Sequence, residues 1–330
     1  MLWQTVLQRY PATSRPNSVV EFLGNAGGYS GSSLWRFESS QGRLVLRCWP
    51  ADGPDRARLE QIHAWLAIAR PLGFVPGPLE TLDRQTIVTA GGRLWELAPW
   101  MPGQADRSRP PPAERIRKVF AGLAAFLWRL GGVCSHASSP GLAARVDEID
   151  RLISGEFAAM RGRFERSSSD ALSILAQRWL DRAIDLAPGV LGSLRQAAGL
   201  ALPLQPCLRD ARPDHFLFEG DELSGLVDFG AMGRDTVSGD LARLLAEGVG
   251  PDRLARLEAL SAFESVRRLS ESELRAIPLF EQANALLGPA RWVRWHFFEG
   301  RWFEDPDAVA RGLRRGLERL EETFGIKIHP

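Results

Sequence analysis

Two carboxylates and an imidazole, set in polar turns beside apolar runs, are the side chains best placed for chemistry. They stand in CLRDARPDHFLF (207–218) and GLVDFG (225–230). Asp210 precedes His215 by five residues within one short loop. The following FLFEGDELSGLV has the apolar runs and the EGD turn signal of a β-hairpin, and it delivers Asp228 at the head of a D-F-G turn. Phosphoryl transfer needs such a set: a carboxylate to orient or deprotonate the attacking hydroxyl, ligands for a metal bridging the phosphates, and a cation on the phosphates. Order and spacing predict Asp210 as catalytic base or orienter, with His215 and Asp228 as ligands of a divalent metal bound with ATP. Mg²⁺ or Mn²⁺ would serve, and an imidazole ligand tilts the choice toward Mn²⁺. A His that only buttresses the loop is the competing reading for His215.

The elements that must position these groups change character along the chain. SVVEFL (18–23), SLWRFES (33–39), RLVLRCW (43–49), QTIVTA (85–90) and RLWELAPW (93–100) are short apolar or alternating runs, as in an antiparallel sheet. DRARLEQIHAWLAIAR (55–70) has helical spacing, with Leu59, Ile62, His63, Leu66 and Ile68 near one face. The Pro-rich stretch at 99–112 reads as a linker. Beyond it helical patterns dominate, at 113–131, 141–164, 170–186, 238–247, 252–268, 271–287, 289–300 and 306–324. One strand-rich island, 204–230, holds the opening residues. The expected layout is an α+β chain of two lobes, 1–100 with the sheet and 101–330 mainly helical.

The 207–245 segment resembles the aminoglycoside phosphotransferase and choline kinase-like family. That family's signature reads H-G-D-x-x-x-x-N, an apolar strand, then D-F after a hydrophobic pair. SGDLARLL (238–245) is similar to the helix after the metal turn, whose Asp, here Asp240, steadies the catalytic loop. The resemblance implies a bilobal protein-kinase-like fold and transfer of the γ-phosphate of ATP to a hydroxyl of a small-molecule acceptor. It implies a nucleotide loop at GNAGGYSGSS (24–33), with Gly27, Gly28 and Ser30 near phosphate. It also puts a phosphate-binding cation on the third strand, where Arg47 stands in for lysine. Glu60, the only carboxylate between Asp55 and Glu80, would position Arg47; an exposed Arg and a helix-surface Glu are the alternative. ELAPWMPG (96–103) resembles the adenine hinge, pointing to the Pro99 carbonyl and the Met101 amide.

Leu208, Arg209, Arg47 and His215 depart from the family's His, Gly, Lys and Asn. Those at Leu208, Arg47 and His215 motivate a rival reading, a nucleotide-binding pseudokinase with a regulatory or scaffolding role. Both Asp210 and Asp228 are present, which favours an active enzyme. A protein kinase ranks lower, because no A-P-E-like segment or activation loop separates Gly230 from the helix at 238. A near match to the hydrolase elbow at 28–32 ends in Ser and lies between strands, so a serine hydrolase is disfavoured.

Bulk properties set the remaining bounds. The 330 residues, 45% apolar and 25% charged, suit two lobes with a sizeable core. Basic and acidic residues, 41 and 40, nearly cancel, which argues against nucleic-acid or membrane partners. Lys118 and Lys327 are the only lysines. Cys48, Cys134 and Cys207 lack metal-ligand spacing and read as buried free thiols, and MLWQTVLQRYP has no signal-peptide core; a cytoplasmic location is expected. RWVRWHFFEGRWF (291–303) reads as core packing or as an aromatic wall for the acceptor. The few acidic residues nearby, Glu299, Glu304 and Asp305, argue against an aminoglycoside.

Overall fold

The structure is a computed structural model and describes residues 1–24, 31–106, 108, 111–132, 134–165, 170–303 and 305–325. In chain order the strands are β1 (Glu21–Gly24), β2 (Ser33–Ser39), β3 (Gly42–Cys48), β4 (Val88–Ala90), β5 (Arg93–Pro99), β6 (Gln104–Ala105), β7 (Ser135–Ala137), β8 (Leu202–Cys207), β9 (Phe216–Glu219), β10 (Glu222–Leu226) and β11 (Gly233–Asp235). The helices are α1 (Leu2–Leu7), α2 (Arg56–Ala69), α3 (Ala113–Arg129), α4 (Pro140–Arg151), α5 (Phe157–Glu165), α6 (Ala171–Ala198), α7 (Ser238–Leu244), α8 (Arg253–Glu264), α9 (Glu271–Val293) and α10 (Ala308–Phe324). Two compact units result. The first comprises Met1–Gly132, Arg212–Gly233 and Leu260–Arg267; the second comprises Val133–Ala211, Arg234–Ala259 and Arg268–Pro330.

In the first unit the alternating runs form an antiparallel sheet in the order β1-β2-β3-β5-β4. Leu44 and Leu46 of β3 point into a core with Val6, Leu7, Tyr10, Phe37, Trp95 and Leu97. Each such leucine contributes roughly 1.5–3 kcal/mol by burial. The β3–β5 register sets Arg47 directly opposite Glu96. Helix α2 starts at Asp55, whose side chain accepts from the Arg58 amide at 2.8 Å. Its buried face holds Leu59, Ile62, His63, Trp65, Leu66 and Ala69. Ile68, expected on that face, is 47% exposed, because the helical period brings Trp65 and Ala69 inward instead.

The 99–112 stretch contains paired strand. β6 bonds to the β9–β10 hairpin, with Gln104 opposite Phe218 and Ala105 opposite Leu217. Gly103 makes this approach possible. At φ +91°, a Cβ there would fall 2.3 Å from Ser224 Oγ and 2.7 Å from the Phe218 carbonyl oxygen.

The second unit has a small sheet, β11-β8-β7, with β8 buried along its whole length, among helices α4, α6, α7, α9 and α10. The expected stops at 186 and 287 do not occur. Helix α6 runs on through Pro188 to Ala198, and α9 passes Pro289 to Val293 before a wider π-helical turn, Arg294–Phe298. An interior proline loses one backbone bond, but packing outweighs it here. The Pro289 ring occupies the space beside Gly316 of α10, where a Cβ would sit 2.3 Å from it. Trp179 of α6 is buried and donates from Nε1 to the Leu286 carbonyl at 3.2 Å.

Among the described residues, no helix is long and apolar enough to cross a membrane. Of the three free cysteines only Cys207 is buried; Cys48 is intermediate and Cys134 exposed, so the expected burial holds for one.

Candidate active site

In the second unit, β8 feeds the loop that carries Asp210. Arg209 adopts φ +63°, a left-handed conformation that explains why the related signature has glycine there. Asp240, in the first turn of α7, accepts from the Leu208 amide at 2.9 Å. The Arg209 and Ala211 amides lean toward it without full hydrogen-bond geometry, and its Oδ1 has no partner. Burial pushes this carboxyl up to about 7, and the nearby Asp235 adds to the push. Arg243, three residues on, brings Nη1 to 2.6 Å from Asp210 Oδ1. Arg209 Nε stands 3.4 Å from Asp235 Oδ2, and Asp235 also accepts from Ser139 Oγ at 2.6 Å.

In the first unit, the Pro213–His215 turn and the β9–β10 hairpin carry the remaining motif residues. The Val227 amide donates to the His215 carbonyl at 3.0 Å, closing the hairpin ends together. As a result His215 Nε2 lies 3.6 Å from Asp228 Oδ2. His215 is buried, and Asp228 takes φ +65°. Phe229 packs on Phe126 with ring centroids 5.9 Å apart. Gly230 lies against Trp49, where a Cβ would come 2.8 Å from the ring. From α2, Arg58 Nη2 donates to the Ala231 carbonyl at 3.0 Å and ties the turn down.

Arg47 does not pair with Glu60. Its Nε lies 3.7 Å from Glu96 Oε1, and its guanidinium covers the Trp49 ring at 4.8 Å. Glu60 instead meets Arg56 one helical turn away at 3.1 Å, with both side chains largely exposed. The helix sends His63 toward the sheet: Nε2 meets Glu96 Oε2 at 2.7 Å and Nδ1 meets Thr86 Oγ1 at 2.7 Å. Burial pushes the Glu96 carboxyl up, but His63, Arg47 and a weaker approach of the Trp49 indole N–H outweigh it and leave it below its ordinary value.

Pro99 ends β5. The Trp100 amide donates to the Arg43 carbonyl on the β3 side at 2.9 Å, while the Leu97 carbonyl accepts from Leu79 on the other edge at 2.8 Å. Alternation therefore turns the Pro99 carbonyl and the Met101 amide to that second edge. Gly27, Gly28 and Ser30 lie outside the described residues. The aromatic run packs on itself: Trp292, Trp295 and Phe303 cluster with centroids 5.3–6.1 Å apart, and Arg301 lies 4.5 Å over Trp295.

Residues 21–277 match the profile of the phosphotransferase enzyme family. The chain belongs to that family. Curated relatives with 25–28% identity are homoserine kinases. The one from Rhizobium rhizogenes (strain K84 / ATCC BAA-868) is 27% identical over 94% of this chain and 89% of its own. The one from Phenylobacterium zucineum (strain HLK1) is 28% identical over 94% and 88%. Among solved structures, amicoumacin kinase hAmiN in complex with AMP-PNP, Ca²⁺ and Ami superposes with a TM-score of 0.65 at 14% identity, covering 100% of this chain and 94% of that one. An aminoglycoside phosphotransferase from Alicyclobacillus acidocaldarius subsp. acidocaldarius DSM 446 gives 0.64 at 16%, covering 98% and 93%. The fold is thus the α+β protein-kinase-like one. This phosphotransferase is a small-molecule kinase, and the relatives favour catalysis over the pseudokinase alternative.

Three residues around the candidate site of this phosphotransferase escape a reading of its sequence. Glu96 lies in a run that reads simply as strand; only its register opposite Arg47 marks it. His63 looks like one more position on the helix's buried face. Arg243 carries no signal beyond its place one turn after Asp240.

Proposed function

We propose that this family member transfers the γ-phosphoryl group of ATP to an alcohol through Asp210, with His215 and Asp228 holding a divalent metal. The convergence of His215 Nε2 and Asp228 Oδ2 at 3.6 Å carries the reading. One imidazole and one carboxylate suit an ion whose other ligands are phosphate oxygens and water. Among the described residues no larger His, Cys, Asp or Glu group competes. When bound, the ion would neutralise charge on the β- and γ-phosphate oxygens. Asp210 orients the acceptor hydroxyl and takes its proton as the new O–P bond forms and the bond to ADP breaks. Arg47, steadied by Glu96, holds the nucleotide phosphates. The free edge of β5 at Pro99 and Met101 receives adenine, and Gly27, Gly28 and Ser30 bind the phosphates. Residues 1–100 thus serve the nucleotide, and 101–330 carry the catalytic loop, the metal turn and the acceptor pocket, in the cytoplasm, where ATP is drawn.

The curated relatives make homoserine the first acceptor to try. ATP consumption over homoserine, amino alcohols, sugars and aminoglycosides, with Mg²⁺ and Mn²⁺ in parallel, tests the reading. Asp210→Asn should lower turnover roughly 10²–10⁴-fold with nucleotide binding nearly intact. His215→Asn should move metal preference from Mn²⁺ toward Mg²⁺. Full turnover in Asp210→Asn would show that the loop is misassigned.

A further inference from the structure

Arg47 and Trp49 stand two positions apart at the end of β3, so their side chains leave the same face of the sheet. Trp49 lies just past the strand, yet its backbone stays pinned to β5. Its amide donates to the Leu94 carbonyl at 2.9 Å, and Arg93 Nη1 donates to the Trp49 carbonyl at 3.3 Å. The indole is 5% exposed and packs with Leu59 of α2 and with Ile87. Its face carries the Arg47 guanidinium at 4.8 Å. Its buried Nε1–H leans toward Glu96 without a partner of full hydrogen-bond geometry. The Arg47 side chain keeps 23% exposure, so its outer edge stays open to a ligand.

The far rim of the same indole meets the turn that follows Asp228. A Cβ on Gly230 would fall 2.8 Å from Cη2 and 3.0 Å from Cζ3, so glycine is what lets the turn come this close. Three successive residues are held there: Phe229 by Phe126, Gly230 by Trp49 and Ala231 by Arg58. Of these three holders, Trp49 also touches Arg47. An indole is a rigid plate in a close-packed setting, so displacing one edge displaces the other. The plate also answers a problem of shape. A lysine ammonium is a point charge, whereas a guanidinium is a wide plane whose direction matters, and an aromatic face can fix that plane. Glu96 does not fix it: its Oε1 is 3.7 Å from Arg47 Nε, too long for a hydrogen bond.

We propose that Trp49 is a positioning residue whose indole sets the plane of Arg47 and couples that arginine to the Asp228–Gly230 turn. The grip on the nucleotide phosphates then depends on where the turn sits. By reciprocity, phosphates seated on Arg47 favour the turn conformation that abuts the ring, and a displaced turn weakens Arg47. This rests on the reading that Arg47 holds the phosphates, and it names what aims the guanidinium.

The test measures binding of a non-hydrolysable ATP analogue by calorimetry, with Mg²⁺ and again with EDTA. Trp49→Leu should weaken it roughly three- to thirtyfold in both, as expected for loss of a desolvated cation–π contact. In an Arg47→Gln background, which lacks the cation, the same change should cost no more than about twofold. Leu59→Ala opens space in the same cluster but leaves the ring on Arg47; it should lower stability and keep affinity within about twofold of wild type. Gly230→Ala crowds the ring and should weaken binding even in EDTA, where Asp228 has no metal to hold. Trp49→Phe keeps an aromatic face for Arg47 but lacks Cη2 and Cζ3, so adding it to Gly230→Ala should recover part of the loss. That rescue decides the matter if Trp49→Leu fails to fold. The proposal is overturned by equal losses from Trp49→Leu with and without Arg47, or by a Leu59→Ala defect as large as that of Trp49→Leu. Normal metal-free affinity in Gly230→Ala, or a defect there that Trp49→Phe does not relieve, overturns it as well. Failure of the phosphate reading shows separately, as wild-type nucleotide affinity in Arg47→Gln alone, and the proposal falls with it.

Discussion

A largely enclosed carboxylate in each unit meets an opposite electrostatic fate. Glu96 sits between His63 and Arg47 and is pulled below its ordinary value, whereas Asp240 has backbone amides and no cation and is pushed up to about 7. Burial acts on both in the same direction; the partners decide the sign. On the sheet, Glu96 works as a charge that holds another charge. In α7, Asp240 works as a hydrogen-bond acceptor for a loop, which a neutral carboxyl can also serve. Their pH dependences are therefore opposed. Stability from Glu96 is present above its unfolded value and lost as pH falls through its folded value. Stability from Asp240 is full below its unfolded value, near ~3.9, and lost as pH rises through about 7.

The sharpest way to break this contrast is to remove the charge on the sheet. Glu96→Gln leaves Arg47 and His63 without their shared partner and should cost about 3–5 kcal/mol in urea denaturation. It should also raise the apparent ATP constant and lower turnover together. Glu60→Gln removes only an exposed pair, and its effect should stay within about 0.5 kcal/mol with near-normal ATP kinetics. Should Glu60→Gln prove the more harmful of the two, helix and strand have been given each other's roles.

A pH series sharpens the other half. Between about pH 4 and pH 7, wild type should lose stability relative to Asp240→Asn by up to on the order of 2–4 kcal/mol, because asparagine keeps an acceptor for the Leu208 amide without ionising. Measured urea midpoints for both proteins across that range give the difference directly. A constant difference would mean that Asp240 titrates like any exposed carboxylate.

The smallest effect concerns the loop that Asp240 holds. Arg209→Gly relieves a left-handed residue but gives up an ion pair to Asp235, so its stability should stay within about 1 kcal/mol of wild type. Arg209→Val keeps the strain, adds a β-branch and should lose about 1–3 kcal/mol. Thermal melts of the two variants compare a backbone requirement with a side-chain one.

That distinction also separates what could be read from the sequence and what could not. The approach of His215 to Asp228 was legible because hairpin and turn are local, and sequence spacing fixes their geometry. The site's long-range partners were not. Arg47 and Glu96 meet through strand register 49 positions apart, which helical spacing from Arg47 toward Glu60 cannot reveal. Asp240 was readable from its motif, yet Arg243, one turn further, was not, since arginine is common throughout this chain. Punctuation misled where packing overrode it: Pro188 and Pro289 lie inside helices, and the Pro-rich connector holds a paired strand. Arg47 finds its carboxylate on the neighbouring strand and not on the helix, whereas Arg209 holds a left-handed backbone angle that spacing alone would assign to glycine.

The discontinuous make-up of the first unit sets a timetable for synthesis. Its first 132 residues emerge before the hairpin at 216–226 exists, and 79 residues of the other unit, 133–211, separate them. At ~5–20 residues per second the ribosome needs about 4–16 s to bridge that gap. Throughout this interval β6 has no partner strand and α3 lacks the Leu223 side chain that will lie against Gly122. An unpaired edge and an uncovered helix face then persist far longer than local folding takes, so a nascent chain stalled in this window is the species most in need of a chaperone.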